Sequence, residues 1–254
     1  MSQKRRLEQI MEMIQKTGFV TTEQLVEKFR VTPQTIRRDL NELAGQNRLR
    51  RHHGGAGVDS STVNTAYQDR KIMNLEAKER IAQALVEHIP DNASMFINIG
   101  TTTETIARAL LQKRGLSIVT NNLHVASILS AREDFHIIIA GGEVRNRDGG
   151  IVGEAAVDFI SQFKMDFGII GISGIHNDGS LLDFDYREVR VAQSIIVNSA
   201  EVLLAADHSK FGRNAMVRLG SIEQADHVFT DAPPPGPIRK LLKANGVELH
   251  IIDK

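Results

Sequence analysis

The 254-residue sequence contains no cysteine, and this absence excludes disulfide bonds, thiolate metal sites and cysteine nucleophiles. No stretch approaches the roughly 18 apolar residues that a membrane-spanning helix requires. The amino terminus is charged, and it lacks an apolar run of signal-peptide length. These absences predict a soluble protein of the cytoplasm.

The chain also lacks net charge, since 31 Lys and Arg balance 31 Asp and Glu. The balance hides an asymmetry, because residues 1–57 contain 11 basic and six acidic side chains, whereas residues 58–254 contain 20 and 25. The first segment therefore carries a formal charge of +5 and the second a formal charge of −5. A basic end on an acidic body is typical of a DNA-binding domain attached to a larger domain.

Residues 31–43 predict a helix that reads DNA. Thr32 stands at the N-cap, where its hydroxyl can accept a hydrogen bond from the first turn, and Pro33 follows at the first helical position, where a missing N–H costs nothing. Apolar residues recur at helical spacing and form a buried stripe of Ile36, Leu40 and Leu43. The polar side chains left on the other faces are predicted to contact base edges and phosphates, and they are Thr32, Gln34, Thr35, Arg37, Arg38 and Asn41.

The segments around this helix predict a winged helix-turn-helix domain. Apolar residues at helical spacing mark a first helix over residues 7–14, and Thr21 with Gln24 has the spacing of a capping box at the start of a second. Three helices in about 45 residues, the last two joined by a tight turn, form the helix-turn-helix arrangement. Two strands with a glycine-rich turn would follow as a basic wing that faces phosphates or a minor groove through Arg50, Arg51, His52 and His53.

Two other interpretations of this head remain open at this stage. A winged helix can dock on another protein instead of DNA, although the basic wing then has no evident purpose. His52 and His53 could bind a metal ion, but adjacent residues of a strand point to opposite faces and no nearby carboxylate completes a ligand set. DNA binding is therefore the favoured interpretation, and no metal or other cofactor is predicted.

Residues 58–74 are small and polar and predict a linker between the head, residues 1–57, and a body, residues 75–254. From residue 75 onward continuous apolar strands alternate with amphipathic helices. This alternation predicts an α/β domain with a mostly parallel sheet that is covered on both faces.

Polar loops follow four of the predicted strands, at the edge where sheets of this class bind ligands. Glycines let backbone N–H groups approach an anion, hydroxyls add donors, and helix N-termini attract negative charge. The predicted ligand is a small phosphorylated polyol or sugar. The residues assigned to it are Asn98, Gly100, Thr101, Thr102, Thr120, Asn121, Asn122, Gly141, Gly142, Glu143 and Lys210.

These loops match neither of the common nucleotide-binding patterns. The chain has no Gly-x-x-x-x-Gly-Lys-Ser/Thr segment, and Gly168, Gly171 and Gly174 lie three residues apart, in and after a strand. Such glycines are expected to let a ligand or a helix pack close to the strand.

The combined motifs resemble the DeoR family of bacterial transcriptional repressors. The resemblance covers nearly the whole chain and is carried by residues 31–43, 51–56, 100–102, 120–122, 141–142 and 207–211. It implies a winged helix-turn-helix head, a body similar to ribose-5-phosphate isomerase and an inducer pocket for a sugar phosphate. It also implies a homo-oligomer, dimer or tetramer, that binds palindromic or repeated operators. Asn98 departs from the family pattern, which commonly has an acidic residue there.

A sugar-phosphate isomerase is the rival interpretation, because that class shares the body's predicted fold. Isomerisation moves a proton between carbons and needs a general base beside the substrate. The segment 171–175, where the isomerases have aspartates, contains no acid, and the next is Asp178. Glu188 is a possible base or a pocket-lining carboxylate. With no complete acid–base pair the sequence predicts a sensor and not an enzyme, while a purely structural or docking module would explain neither the basic head nor the anion loops.

Overall fold

A computed structural model describes residues 2–17, 19–46, 48–52, 54–57 and 64–253. The chain divides into two compact units, Met1–Leu75 and Glu76–Lys254. Among the described helices, none is both long and apolar enough to cross a membrane. Within residues 58–74, which the sequence assigns to a linker, Tyr67–Ile72 form a short helix. The domain boundaries themselves stay predictions.

The first unit contains four described helices and a small antiparallel sheet. Its sheet has the order β1-β3-β2, so the last strand of the head lies in the middle. The elements in chain order are α1 (Gln3–Thr17), β1 (Phe19–Thr21), α2 (Thr22–Phe29), α3 (Pro33–Gly45), β2 (Arg50–His52), β3 (Gly55–Gly57) and α4 (Tyr67–Ile72). The predicted stripe of α3 is fully buried, together with side chains of α1 and α2.

The predicted caps of the head are present. The Thr21 hydroxyl accepts from the Gln24 N–H at 3.0 Å, and the Gln24 side chain accepts from the Thr21 N–H at 2.8 Å, which completes the capping box. Arg30 ends α2 in the left-handed conformation with φ 52°. Thr32 caps α3 by accepting from the Thr35 N–H at 3.2 Å. The tight turn between α2 and α3 therefore follows from local side-chain chemistry.

The wing strands were predicted, but β1 was not. Strand β1 has three residues between two helices, and its pairing partner β3 lies more than 30 residues away. Gly55 permits this pairing, because a Cβ at that position would lie 2.2 Å from the Val20 carbonyl oxygen. Strand β1 therefore joins the wing to the helical part of the head.

The second unit alternates helices and strands as predicted. Its first part comprises α5 (Leu75–Glu87), β4 (Ser94–Ile97), α6 (Thr101–Leu110), β5 (Ser117–Thr120), α7 (Leu123–Leu129), β6 (His136–Ile139), β7 (Glu143–Arg145), β8 (Gly150–Val152) and α8 (Glu154–Ile160). Its second part comprises β9 (Met165–Gly171), β10 (Gly174–Ile175), β11 (Ser180–Asp183), α9 (Tyr186–Val197), β12 (Ser199–Ala205), β13 (Val217–Ser221), β14 (His227–Thr230), α10 (Gly236–Ala244) and β15 (Glu248–Ile251).

Seven of these strands form one parallel sheet in the order β15-β14-β12-β9-β4-β5-β6. The chain builds the sheet outward from β4 to one edge and then from β9 to the other. Both faces are covered, because Phe96 of β4 belongs to one hydrophobic core while its neighbours Met95 and Ile97 belong to another. The observed sheet confirms the predicted α/β class.

Short strands outside the main sheet were missed. Strands β7 and β8 form a hairpin, and β10, β11 and β13 form a second small antiparallel sheet. Each has only two to five residues, which is too few for a periodic pattern to stand out. The close packing expected at Gly168 is present, since a Cβ there would lie 2.2 Å from Ser199 Oγ and 3.2 Å from a methyl of Ile195 in α9.

Candidate functional site

The exposed face of α3 carries the side chains that the sequence assigned to DNA. Gln34, Arg37, Arg38 and Asn41 are exposed, and Thr32 is exposed at the cap. Thr35 is half-buried, and its hydroxyl lies 2.9 Å from that of Thr32. Four polar side chains on one exposed face, next to the amino end of the helix, give the surface that a recognition helix needs in a major groove.

The wing brings a second arginine group toward this face. Arg51 is half-buried, and both burial and the positive charge of Arg37 lower its pKa. Its Nη1 atom is buried and has no hydrogen-bond partner among the described residues. Two guanidinium groups that repel each other favour an anionic partner such as a phosphate backbone. Arg50 is exposed, whereas the side chain of His52 and all of His53 lie outside the described residues.

One charged pair of the head was not foreseen from the sequence. Asp39, between the two exposed arginines and the stripe, is 1% exposed and accepts from Arg6 of α1. The bond is bidentate, with Arg6 Nε 2.5 Å from Asp39 Oδ2 and Arg6 Nη2 3.1 Å from Asp39 Oδ1. The hydrogen bond to Asp39 raises the pKa of Arg6 against the effect of burial. This pair fixes the orientation of α3 relative to α1.

In the second unit, the predicted effector loops lie at the carboxyl ends of the parallel strands, where β4, β5, β6 and β12 end. Strands β4 and β9 are neighbours at the centre of the sheet. Successive strands are added on one side from β4 to β6 and on the other side from β9 to β15. Ligands of open α/β sheets bind in the crevice outside such a point. Lys210 follows β12, with β9 lying between β12 and β4.

Three buried amide side chains define the centre of this end of the sheet. Asn98, Asn121 and Asn122 are at most 2% exposed. The Oδ1 atoms of Asn98 and Asn121 and the Nδ2 atom of Asn122 have no hydrogen-bond partner among the described residues. Burying a polar group without a hydrogen-bond partner costs free energy, so such atoms usually form hydrogen bonds with a bound ligand or with water. All three residues were assigned to the effector from the sequence.

The amino end of α6 contributes hydroxyls and a lysine. Gly100 occupies the N-cap and offers no side chain to the first turn, while Thr101 and Thr102 are at most 8% exposed. Lys78 of α5 is 2% exposed, and its Nζ donates to Thr101 Oγ1 at 3.2 Å. Amine and hydroxyl donors at a helix N-terminus are the groups that bind phosphate. Lys78 was missed, because nothing local distinguishes it from a surface lysine.

The hairpin β7–β8 lies over the loop that follows β5. The Ile151 N–H donates to the Asn121 carbonyl at 2.7 Å, and Asn121 Nδ2 donates to the Ile151 carbonyl at 3.1 Å. Gly141 and Gly142, which precede the hairpin, are exposed. Glu143 is also exposed and pairs with Arg187 at 3.0 Å. These three predicted residues are thus more open to solvent than the asparagines.

A buried arginine network holds the hairpin against α9. Arg145 of β7 is 8% exposed and pairs with Asp148 at 2.7 Å, Asp185 at 3.1 Å and Glu188 at 2.7 Å. Burial acts to lower the pKa of Arg145, but Glu188 and Asp148 outweigh it and the pKa is raised. Glu188, considered from sequence as a possible general base, is therefore occupied as an ion-pair partner of Arg145.

The loop after β12 is organised by two aspartates. Asp207 is 1% exposed and accepts from the Ser209 N–H at 3.0 Å. Asp231, after β14, accepts from the His208 N–H at 2.7 Å and lies 2.7 Å from His208 Nδ1. The bond to Asp231 raises the pKa of His208 against the effect of burial. These contacts fix the backbone from which Lys210 extends.

Comparisons with known proteins give one family match for each of the two units. The family descriptions that match are "DeoR-like helix-turn-helix domain" over residues 6–62 and "DeoR C terminal sensor domain" over residues 73–232. The chain is 58% identical to the glycerol-3-phosphate regulon repressor of Escherichia coli (strain K12), covering 99% of this chain and 100% of that protein. It is 52% identical to the protein of the same name from Haemophilus influenzae, covering 95% and 94%.

Among solved structures, ribose 5 phosphate isomerase A from Neisseria gonorrhoeae overlaps with 53% of this chain and 52% of its own. The two are 18% identical with a TM-score of 0.36, an overlap that says nothing about activity.

Proposed function

Since the chain belongs to the DeoR family of transcriptional repressors, we propose that it represses a glycerol or glycerol-3-phosphate catabolic regulon and leaves its operator when glycerol 3-phosphate binds. The observation that carries this proposal is the 58% identity over 251 residues to a repressor of that name. The identity spans head and sensor alike, so it concerns both the DNA target and the effector. Its site of action would be the cytoplasm.

The proposed DNA contacts combine helix and wing. They are Thr32, Gln34, Thr35, Arg37, Arg38, Asn41, Arg50, Arg51, His52 and His53. The exposed arginines and the unpartnered Arg51 Nη1 atom support this set. A homo-oligomer, dimer or tetramer, would place paired heads on operator half-sites, because closed symmetry in the protein matches symmetry in the DNA.

The proposed effector site lies at the end of the sheet described above. Its residues are Asn98, Gly100, Thr101, Thr102, Thr120, Asn121, Asn122, Gly141, Gly142, Glu143 and Lys210. The amide atoms without partners would bind hydroxyl groups, and the amino end of α6 with its hydroxyls would bind the phosphate. The effector can shift the protein only through its different affinities for the DNA-bound and released states.

The test is a fluorescence anisotropy titration of a labelled glycerol-regulon operator with the full-length protein, at fixed salt. The titration is repeated with glycerol 3-phosphate, fructose 6-phosphate and unphosphorylated glycerol. We expect tight binding that only glycerol 3-phosphate reverses. Operator affinity no higher than that for a scrambled duplex would overturn the repressor proposal.

Two lysine variants separate sensing from DNA binding. Lys210→Ala is expected to bind the operator normally and to lose the response to glycerol 3-phosphate. Lys240→Ala, at an exposed position of α10, serves as the matched control and should respond as the unmodified protein does. A normal response in Lys210→Ala would remove Lys210 from the site.

Another sugar phosphate is the alternative effector. Asn98 favours this alternative, since it is a buried amide at the position where the resemblance to the family implies an acidic residue. Loss of the charge would change which hydroxyl or phosphate groups are tolerated nearby. Release by fructose 6-phosphate and not by glycerol 3-phosphate would keep the repressor and replace its inducer.

A further inference from the structure

Three histidines and two glutamates lie close together at the amino ends of the parallel strands, on the side of the sheet opposite the effector loops. His227 and Glu248 are the first residues of β14 and β15 and are paired in register, and His250 lies two residues farther along β15. Glu201 lies near the start of β12, and His88 follows α5. The proposed function uses none of these residues.

The distances within the group suit a metal ion. His227 Nδ1 lies 3.2 Å from His250 Nε2 and 3.4 Å from Glu248 Oε2, and His250 Nε2 lies 3.6 Å from Glu248 Oε1. Tetrahedral zinc with ligand bonds of about 2.0–2.1 Å places its ligand atoms about 3.3–3.4 Å apart. The two nitrogen atoms are already at this spacing, and each lies close to one oxygen of the Glu248 carboxylate. One ligand atom from each of the three side chains lies within 4.8 Å of the other two.

We propose that His227 Nδ1, His250 Nε2 and a Glu248 carboxylate oxygen bind one divalent transition-metal ion of the zinc class. Two imidazoles and a carboxylate form a ligand set that zinc prefers. The site is independent of the proposed repressor function. Glu248 is 62% exposed, which leaves an open side for entry of the ion and for a solvent ligand.

The surroundings of the two imidazoles support this assignment. The His250 ring stacks on Phe229 at 4.3 Å with an interplanar angle of 7°, which fixes its orientation. When His227 binds through Nδ1, its Nε2–H faces Glu201 Oε2 at 3.5 Å. Metal-bound histidines commonly direct the second ring N–H to a carboxylate in this way.

A second triad, of His88, Glu201 and His227, shares His227 with the first. A neutral imidazole has one lone pair available, so His227 cannot serve both sets without losing its remaining proton. His88 Nε2 lies 3.6 Å from Glu201 Oε2. This second set is therefore assigned to holding Glu201 beside His227 and not to a second ion.

The experiment adds Zn²⁺ to the full-length protein and measures bound zinc by equilibrium dialysis against a competing chelator. We expect one ion per chain, and loss of that ion in the double variant His227→Gln/His250→Gln. Glu201→Gln should weaken zinc binding about tenfold, since it removes only the supporting carboxylate. His136→Gln, at an exposed position on the far edge strand β6, is the control and should bind zinc as before.

Thermal unfolding provides the second readout. A bound ion joins β14 to the edge strand β15, so zinc should raise the melting temperature of the unmodified protein and not that of the double variant. Glu248→Ala changes an exposed side chain, and it should lower zinc affinity at least tenfold while the zinc-free protein melts as before. Zinc retained in the double variant, or lost equally in His136→Gln, would overturn the site.

Discussion

His208 and Asp231 show how one side-chain pair positions the loop that carries Lys210. Their pKa values move in opposite directions. The bond to Asp231 raises the pKa of His208 above 6.5, and, although burial acts the other way, His208 lowers the pKa of Asp231 below 3.8. A raised histidine pKa stabilises the fold below pH 6.5, and this contribution disappears as the pH rises through the raised value. A lowered aspartate pKa stabilises it above pH 3.8. The pair therefore contributes fully between these two values.

Asp231→Asn tests this pair. Asparagine keeps an acceptor for the His208 N–H but removes the charge, so the pKa of His208 measured by NMR titration should fall toward about 6.5. The difference in melting temperature from the unmodified protein should be largest near pH 5–6 and shrink toward pH 8. Asp253→Asn, at an exposed position, is the control. An unchanged His208 pKa in Asp231→Asn would contradict the assignment.

At the same scale, the residues that the sequence identified are those with a local signature. The glycines, threonines and asparagines stand directly after apolar strands, so their position could be inferred. Lys78 and Arg145 could not, because their partners Thr101 and Glu188 lie 23 and 43 positions away and only the folded chain brings them together. The proposed metal ligands were missed for the same reason.

At the scale of elements, helix α3 depends on a tether that crosses the head. The Arg6–Asp39 pair joins α1 to α3, and it is almost completely buried. Removing one partner of a buried pair leaves an uncompensated charge in the interior. The orientation of the recognition helix therefore depends on a residue near the start of the chain.

Arg6→Ala should destabilise the head by about 3 kcal/mol. Hydrogen exchange of the α3 amides would measure the loss, and the amides of β9 in the other unit would serve as an internal reference. Arg5→Ala removes an exposed arginine from the same helix and should change stability by no more than about 0.5 kcal/mol. Equal protection of α3 in the two variants would argue against the tether.

Elements with a strong periodic pattern were predictable, and short ones were not. The capping box and the N-cap at Thr32 placed α2 and α3, since both signals lie within four residues. The hairpin β7–β8 and the small sheet of β10, β11 and β13 depend on pairing over distance. Their two to five residues carry no pattern that would distinguish a strand from a loop.

At the scale of the whole molecule, charge is divided between the two ends of the chain. The parallel sheet was predictable from alternating apolar strands and helices, but its strand order was not, because many orders satisfy the same pattern. The division of charge, in contrast, can be counted directly from the sequence. It predicts that the ionic part of operator binding resides in the basic head.

Arg38→Gln should therefore reduce the salt dependence of operator binding. Losing one phosphate contact is expected to lower the slope of log K against log salt by about 0.9 for each bound protomer. Arg239→Gln, at an exposed position of α10, removes the same charge from the other unit and should leave the slope unchanged. Equal slopes for the two variants would show that Arg38 does not contact phosphate.

The order of strands also sets the order in which the molecule is completed during synthesis. All strands of the head have been synthesised once residue 57 is made, whereas β4 cannot pair with its central neighbour β9 until residues 165–171 have been made. At 5–20 residues per second this interval lasts roughly ten seconds. Every nascent chain thus contains the complete helix-turn-helix segment before the sheet of the sensor domain has its central strand pair, and no ligand can act through that sheet until then.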